Sequence, residues 1–338
     1  MSFVQGTRRH LAGVPAASKK GIGSYARGFC IGLLACLVGL SARADGPQSV
    51  RSSNIFENGL SKEDFPRWQQ IAADTYIFEG VHAGDPTGAV FTTVSLVVVT
   101  EEGVLVADGQ GSEADTRALI DRIKSVTAQP IKYVVVGSDH GDHTGGNAAF
   151  VAVYPDVVFV SSPVSQKNLA NKPNPPTKLV ADRETIRLGR TEIEVLNLGR
   201  AHTGGDLVVH LPASKILFMS EVYFRGLFPA MRTAYPSEWV ATIDKALAMD
   251  VDLYVPGHGF TDDGPTMRRD LVEFKRAIEY VIGEAKRLHA AGLPCESARN
   301  CKAAKQVNWG PYAKWPASGS QGPVALATVY EEIRGRVP

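Results

Sequence analysis

The stretch VVVGSDHGDHTGGN, residues 134–147, decides how this chain is read. Its first residues are β-branched and apolar, the composition of a buried strand. Directly after them His140, Asp142 and His143 stand within four positions of one another. Imidazole and carboxylate side chains this close in a loop can converge on one or two cations. The mixture suits zinc, iron or manganese. Gly141, Gly145 and Gly146 permit the tight backbone path that such convergence needs.

Outward from this loop, three further segments carry ligand-type side chains. Gly199-Arg200-Ala201-His202-Thr203-Gly204-Gly205-Asp206 places His202 in a glycine-rich loop between two strands. Phe218-Met219-Ser220-Glu221 ends a strand on an acid, and Leu253-Tyr254-Val255 leads into Pro256-Gly257-His258-Gly259. Loops at strand ends on one edge of a sandwich can meet in space.

Strands are expected at residues 74–78, 91–100, 103–108, 131–136, 157–161, 184–188, 192–198, 206–211, 215–219 and 253–255. A helix is expected from Ser112, with Asp115 as an approximate capping partner, to about residue 125. Others cover residues 238–249 and 324–334, and the longest opens at Pro265. In that helix Met267, Leu271, Phe274, Ile278, Val281, Ala285 and Leu288 recur every three or four residues, one apolar face read as core packing. Strands in two runs, with helices after each, predict two sheets face to face with helices outside. One domain then spans residues 66–338, and the polar, irregular residues 45–65 read as a linker.

The 338 residues are 44% apolar and 21% charged, with a net charge of +1, the composition of an ordinary globular protein. No basic block argues for nucleic acid or an acidic membrane surface, and a small-molecule substrate is the expected partner. The N-terminus reads differently. Arg8, Arg9, Lys19, Lys20 and Arg27 precede an apolar run at residues 29–40, followed by Ala42-Arg43-Ala44. That is the layout of a bacterial secretory signal over residues 1–44, cleaved after Ala44. The apolar run is short for a bilayer span, so no stable membrane anchor is expected after cleavage. The reading places the mature protein in the periplasm or outside the cell. Cys295 and Cys301 remain after cleavage, an even pair close in sequence and a candidate disulfide in an oxidising compartment.

Taken in order, x-x-His-x-Asp-His-x-x-Gly-Gly, Gly-x-x-His-Thr-x-Gly-Asp, the strand-end acid and Pro-Gly-His-Gly resemble the metallo-β-lactamase fold superfamily. The resemblance covers nearly all of the chain after residue 44. It implies an α/β fold, a four-layer αββα sandwich. It also implies two metal positions. Residue 138, His140 and His202 make the first; Asp142, His143 and His258 make the second. Glu221 stands where the family usually has a bridging Asp, and Asp108 matches the strand-end Asp that supports the metal loop from behind. The chain departs from the pattern at Ser138, where the family has His, and at Glu221. A serine hydroxyl is a poor zinc ligand. One tight zinc ion at Asp142, His143 and His258 is therefore expected, with a second ion weak or absent. Asp139 is a candidate to substitute for the missing ligand, but if the strand continues to residue 138 it faces away from the site. His82, in the segment 79–86, either reaches into the site or, the simpler reading, is an exposed loop histidine.

The implied activity is metal-dependent hydrolysis of an ester, lactone, thioester, phosphoester or amide by metal-activated water, with Asp142 orienting it. The alternatives are a β-lactamase with a modified first metal position, an iron-dependent oxidoreductase of the same fold, and a non-catalytic metal-binding homologue. Phe224, Phe228, Met231, Tyr235 and Trp239 either line an apolar pocket or pack in the core. Arg225 and Arg232 either hold an anionic group or are solvated.

Overall fold

A computed structural model describes residues 48–83 and 88–337. The segment expected to be a secretory signal, residues 1–44, its expected cleavage site and residues 84–87 lie outside the described residues. In chain order the strands and helices are β1 Arg67–Ala72, β2 Thr75–Ala83, β3 Val90–Thr100, β4 Gly103–Ala107, α1 Glu113–Val126, β5 Ile131–Val135, α2 Gly141–Thr144, α3 Ala148–Val153, β6 Val158–Ser161, α4 Pro163–Leu169, β7 Lys178–Leu179, β8 Arg183–Leu188, β9 Thr191–Leu196, β10 Val208–Leu211, β11 Ile216–Phe218, α5 Pro236–Leu247, β12 Leu253–Val255, α6 Gly264–Ala290 and α7 Ser318–Ile333.

One sheet runs β1-β2-β3-β4-β5-β6-β7, the other β12-β11-β10-β9-β8. In the first, β1 to β4 pair antiparallel and β4 to β7 parallel. In the second, only the β11–β12 pair is parallel. The near-continuous apolar runs follow from burial on both faces. Along β3 and β4, Val94, Leu96, Val98, Leu105 and Ala107 point between the sheets, where they meet Val195, Val209 and Phe218. Their neighbours Val97, Val104 and Val106 point the other way, onto Leu119, Ile120 and Ile123 of α1 and Phe150 of α3. The outer face of the second sheet, with Val208, Leu217 and Tyr254, packs on Trp239 of α5, Phe274 of α6 and Leu326 of α7. The result is the four-layer αββα sandwich.

The expected elements are present, most with bounds moved by one to three residues. Ser112 caps α1, its Oγ accepting from Asp115 N at 3.2 Å. Two differences bear on the site. β2 runs on to Ala83, so His82 lies on a strand rather than in a loop. α7 begins at Ser318, earlier than the expected 324, and carries Pro323 inside it. The segment read as a linker has structure of its own. Ile55 is buried, Ser53 N donates to Gly226 O at 3.0 Å, and Arg51 pairs with Asp262 at 3.0 Å. Among the described residues no helix is long and apolar enough to cross a membrane. Cys295 and Cys301 are joined by a disulfide.

Candidate metal centre

Four strand ends build the floor of the site. β4 ends at Asp108, whose φ of 61° turns the chain sharply. Its Oδ1 accepts from Gly137 N at 2.7 Å, just beyond β5, and its Oδ2 takes the Ser220 hydroxyl, just beyond β11. The approach is close enough to require glycine. A Cβ at Gly137 would lie 2.6 Å from Ser220 Cβ, and one at Gly257, beyond β12, 2.4 Å from Ser220 O. The loops carrying His140, Asp142, His143, Glu221 and His258 are thereby brought to one edge of the sandwich.

Two overlapping groups result. Asp142, His143, Glu221 and His258 form one, and His140, His202 and Glu221 the other. In the first, His258 Nε2 lies 3.3 Å from Asp142 Oδ2 and 3.4 Å from both His143 Nε2 and Glu221 Oε1. His143 Nε2 lies 3.6 Å from Asp142 Oδ2. In the second, His140 Nδ1 lies 3.1 Å from both His202 Nε2 and Glu221 Oε2, and His202 Nε2 lies 3.4 Å from Glu221 Oε1.

The far side of each imidazole sets its tautomer. His258 Nδ1 donates to Thr92 O at 2.7 Å and His202 Nδ1 to Ala230 O at 2.8 Å. His143 Nδ1 faces Asp108 Oδ2 at 3.0 Å. His140 Nε2 faces Thr233 Oγ1 at 3.4 Å, and that hydroxyl donates its own proton to His202 O at 3.2 Å. With the outer nitrogens acting as donors, the inner nitrogens of the four imidazoles converge where two carboxylates already point. Acceptors packed this closely need a cation or extra protons between them. Tetrahedral ligands at zinc-like bond lengths stand about 3.3–3.5 Å apart, so these separations fit a divalent ion.

The electrostatics of the metal-free site agree. Burial works against a charged His143, but Asp108 and Asp142 outweigh it and raise its pKa to about 10. Burial likewise opposes charge on His140, and Glu221 overrides it, raising the pKa to about 9. His202 is pushed down to about 4, chiefly by burial. Glu221 stays ionised despite burial because His202 and His140 hold its pKa well below the ordinary carboxylate value.

The departures from the family pattern meet each other. Ser138 is fully buried, and its hydroxyl donates a short hydrogen bond to Glu221 Oε2. Asp139 turns away and accepts from Asn168 Nδ2 at 3.0 Å, although β5 ends at Val135 and no strand runs on to residue 138. His82 stacks on Phe91 and brings Nδ1 to 3.8 Å from Asp142 Oδ2, at the rim of the site. Of the aromatic group, Phe224 packs against His202 and His258, while Phe228, Met231 and Trp239 are core. Arg225 is neither solvated nor in the cleft. It is buried with Asp270 at 2.8 Å and Asp262 at 2.7 Å. Arg232 is exposed and lines the cleft with Phe91, Phe224, Leu227 and Gln321. The cleft holds about 370 Å³. Thr92, Ala230, Thr233 and Gln321 had no signal in the sequence, because a carbonyl or hydroxyl brought in from another segment leaves no spacing pattern.

Residues 87–258 match the family described as the metallo-beta-lactamase superfamily. The chain is 22% identical over 244 residues to a metallo-beta-lactamase type 2 of Bacillus sp. (strain 170), covering 69% of this chain and 92% of that protein. It is 25% identical over 177 residues to the 2,4-dinitroanisole O-demethylase subunit alpha of Nocardioides sp. (strain JS1661), covering 51% and 53%. Among solved structures, a metallo-beta-lactamase from Pontibacter korlensis aligns with a TM-score of 0.56 at 25% identity, over 62% of this chain and 98% of that one. The family match takes in the loops of His140, Asp142, His143, His202, Glu221 and His258, which the sandwich gathers at one edge: this chain belongs to the metallo-β-lactamase superfamily.

Proposed function

We propose that this protein is a zinc-dependent hydrolase of small ester, lactone, thioester, phosphoester or amide substrates. The observation that carries the reading is the convergence of imidazole nitrogens and carboxylate oxygens at the buried floor of a cleft. A divalent ion bound there supplies Lewis acidity and makes water a competent nucleophile near neutral pH. The protein's own groups do the rest. Asp108, Thr92 O and Ala230 O hold His143, His258 and His202 in their tautomers. Asp142, with its side chain 15% exposed, is the more open of the two carboxylates lining the cleft, and it orients the attacking water. Phe91, Phe224 and Leu227 supply an apolar wall that limits solvent beside the reacting bond, and Arg232 offers a cation to an anionic substrate group.

The test begins with metal content of the purified chain after residue 44. Hydrolysis is then assayed on each substrate class, β-lactams included, before and after removal of metal by chelator. The expected result is zinc-restored hydrolysis of at least one class, abolished in His143→Ala, His258→Ala. A protein that binds no divalent ion, or whose hydrolysis survives that double substitution, overturns the reading.

A further inference from the structure

Ser138 and Glu221 are two departures from the family pattern, and the structure puts them in contact. Resting on the metallohydrolase reading, we propose that Glu221 stands in for the imidazole missing at position 138. Its two oxygens serve two cation positions, and Ser138 is the positioning residue that holds it there.

The geometry is specific. The Ser138 hydroxyl accepts from His140 N at 3.3 Å, which leaves its single proton for Glu221 Oε2. The bonded oxygen lies 3.1 Å from His140 Nδ1, beside the two histidines that otherwise lack a third protein ligand. The other oxygen, Oε1, faces His202, His258 and His143 at 3.4, 3.4 and 3.8 Å. A serine is small enough to leave room for a carboxylate where an imidazole would have stood. A glutamate, one methylene longer than aspartate, is long enough to fill that room. The first position then has His140 Nδ1, His202 Nε2 and Glu221, and the second has Asp142, His143 and His258 with Glu221 shared. Ser138 thus completes the first position through Glu221 instead of crippling it.

The two residues must then be energetically coupled. Zinc and cobalt(II) stoichiometry is measured by equilibrium dialysis, together with the cobalt absorption spectrum. The wild type, Ser138→Ala, Ser138→Thr, Glu221→Asp, Ser138→His and the Ser138→His, Glu221→Asp double variant are compared. The wild type is expected to bind two ions. Ser138→Thr keeps the hydroxyl and keeps both, whereas Ser138→Ala weakens one of them about 10-fold or more. Glu221→Asp and Ser138→His each lose an ion, the latter because imidazole and carboxylate compete for one space. The double variant regains two. A wild type that binds one ion, with a second gained by Ser138→His alone, overturns this inference and leaves the hydrolase reading standing. So does a Glu221→Asp variant that keeps both ions. A wild type that binds no ion overturns both.

Discussion

Asp108 faces His143 across 3.0 Å, carboxylate to Nδ1, from a backbone turned into the left-handed region. Both side chains are fully buried, and the same Oδ2 also takes the Ser220 hydroxyl. This contact ties the floor of the sandwich to the orientation of the imidazole above it. Asp108→Asn is therefore expected to weaken divalent-ion affinity about 10- to 100-fold, because the ring loses the partner that fixes its tautomer. Competition titration against a chromophoric chelator measures it; unchanged affinity would separate Asp108 from the site.

Metal binding should release protons. Without metal, His140 and His143 titrate near 9 and 10, so both carry a proton at pH 7 that an ion must displace. Affinity then rises with pH from neutrality toward 9–10. Calorimetry at pH 7 in buffers of different ionisation enthalpy should return close to two protons released per fully loaded chain. A value near zero contradicts the arrangement.

The metal-free protein should also lose stability in the alkaline direction. A histidine whose folded pKa is raised above about 6.5 binds its proton more tightly when folded. That stabilisation is complete below about pH 6.5 and disappears as pH climbs through 9–10. Thermal unfolding of chelator-treated protein is expected to shift to lower temperature between pH 6.5 and 9.5. The zinc-loaded protein, whose imidazoles are already deprotonated, should shift less. Parallel curves for the two forms would count against the assignment.

Arg225 is predicted to be a stability residue. Its guanidinium bonds Asp270, Asp262 and the Phe260 carbonyl, and Asp270 is fully buried. Arg225→Ala leaves that buried carboxylate with Arg269 alone, at 2.8 Å, and should cost about 3 kcal/mol in chemical denaturation. Arg232→Ala, at the exposed rim, should leave stability within about 0.5 kcal/mol. Its expected effect is a KM for anionic substrates raised about tenfold, as for a lost charge-assisted hydrogen bond.

Gly137→Ala tests the packing of the floor. Its Cβ would meet Ser220 Cβ at 2.6 Å, and neither strand end can retreat without moving Asp108. A destabilisation of about 1–3 kcal/mol is expected, with reduced metal content at equal zinc concentration. Full metal content would mean that the strand ends have slack.

Much of this was legible locally. The runs at residues 91–100, 103–108 and 131–136 announced strands buried on both faces, because apolar β-branched residues at successive positions suit nothing else of that length. The heptad-like stripe from Met267 to Leu288 announced α6 for the same kind of reason. The edges were less legible. β1, with Arg67, Gln69 and Gln70, is too polar to stand out, and His82 looked like a loop residue because polar neighbours and a proline follow it. The place of Arg225 was not legible, because charge alone does not reveal that Asp262 and Asp270 lie opposite.

The sequence by itself determined the layered fold and the types of ligand at the sheet edge, since both are written in short-range patterns of polarity and spacing. Only the tertiary structure decided what the substitutions at 138 and 221 mean. Residues far apart in the chain meet there because β4, β5, β11 and β12 end side by side. A serine hydroxyl and a carboxylate interact only once packing has removed the water between them, and no spacing in the chain encodes that distance.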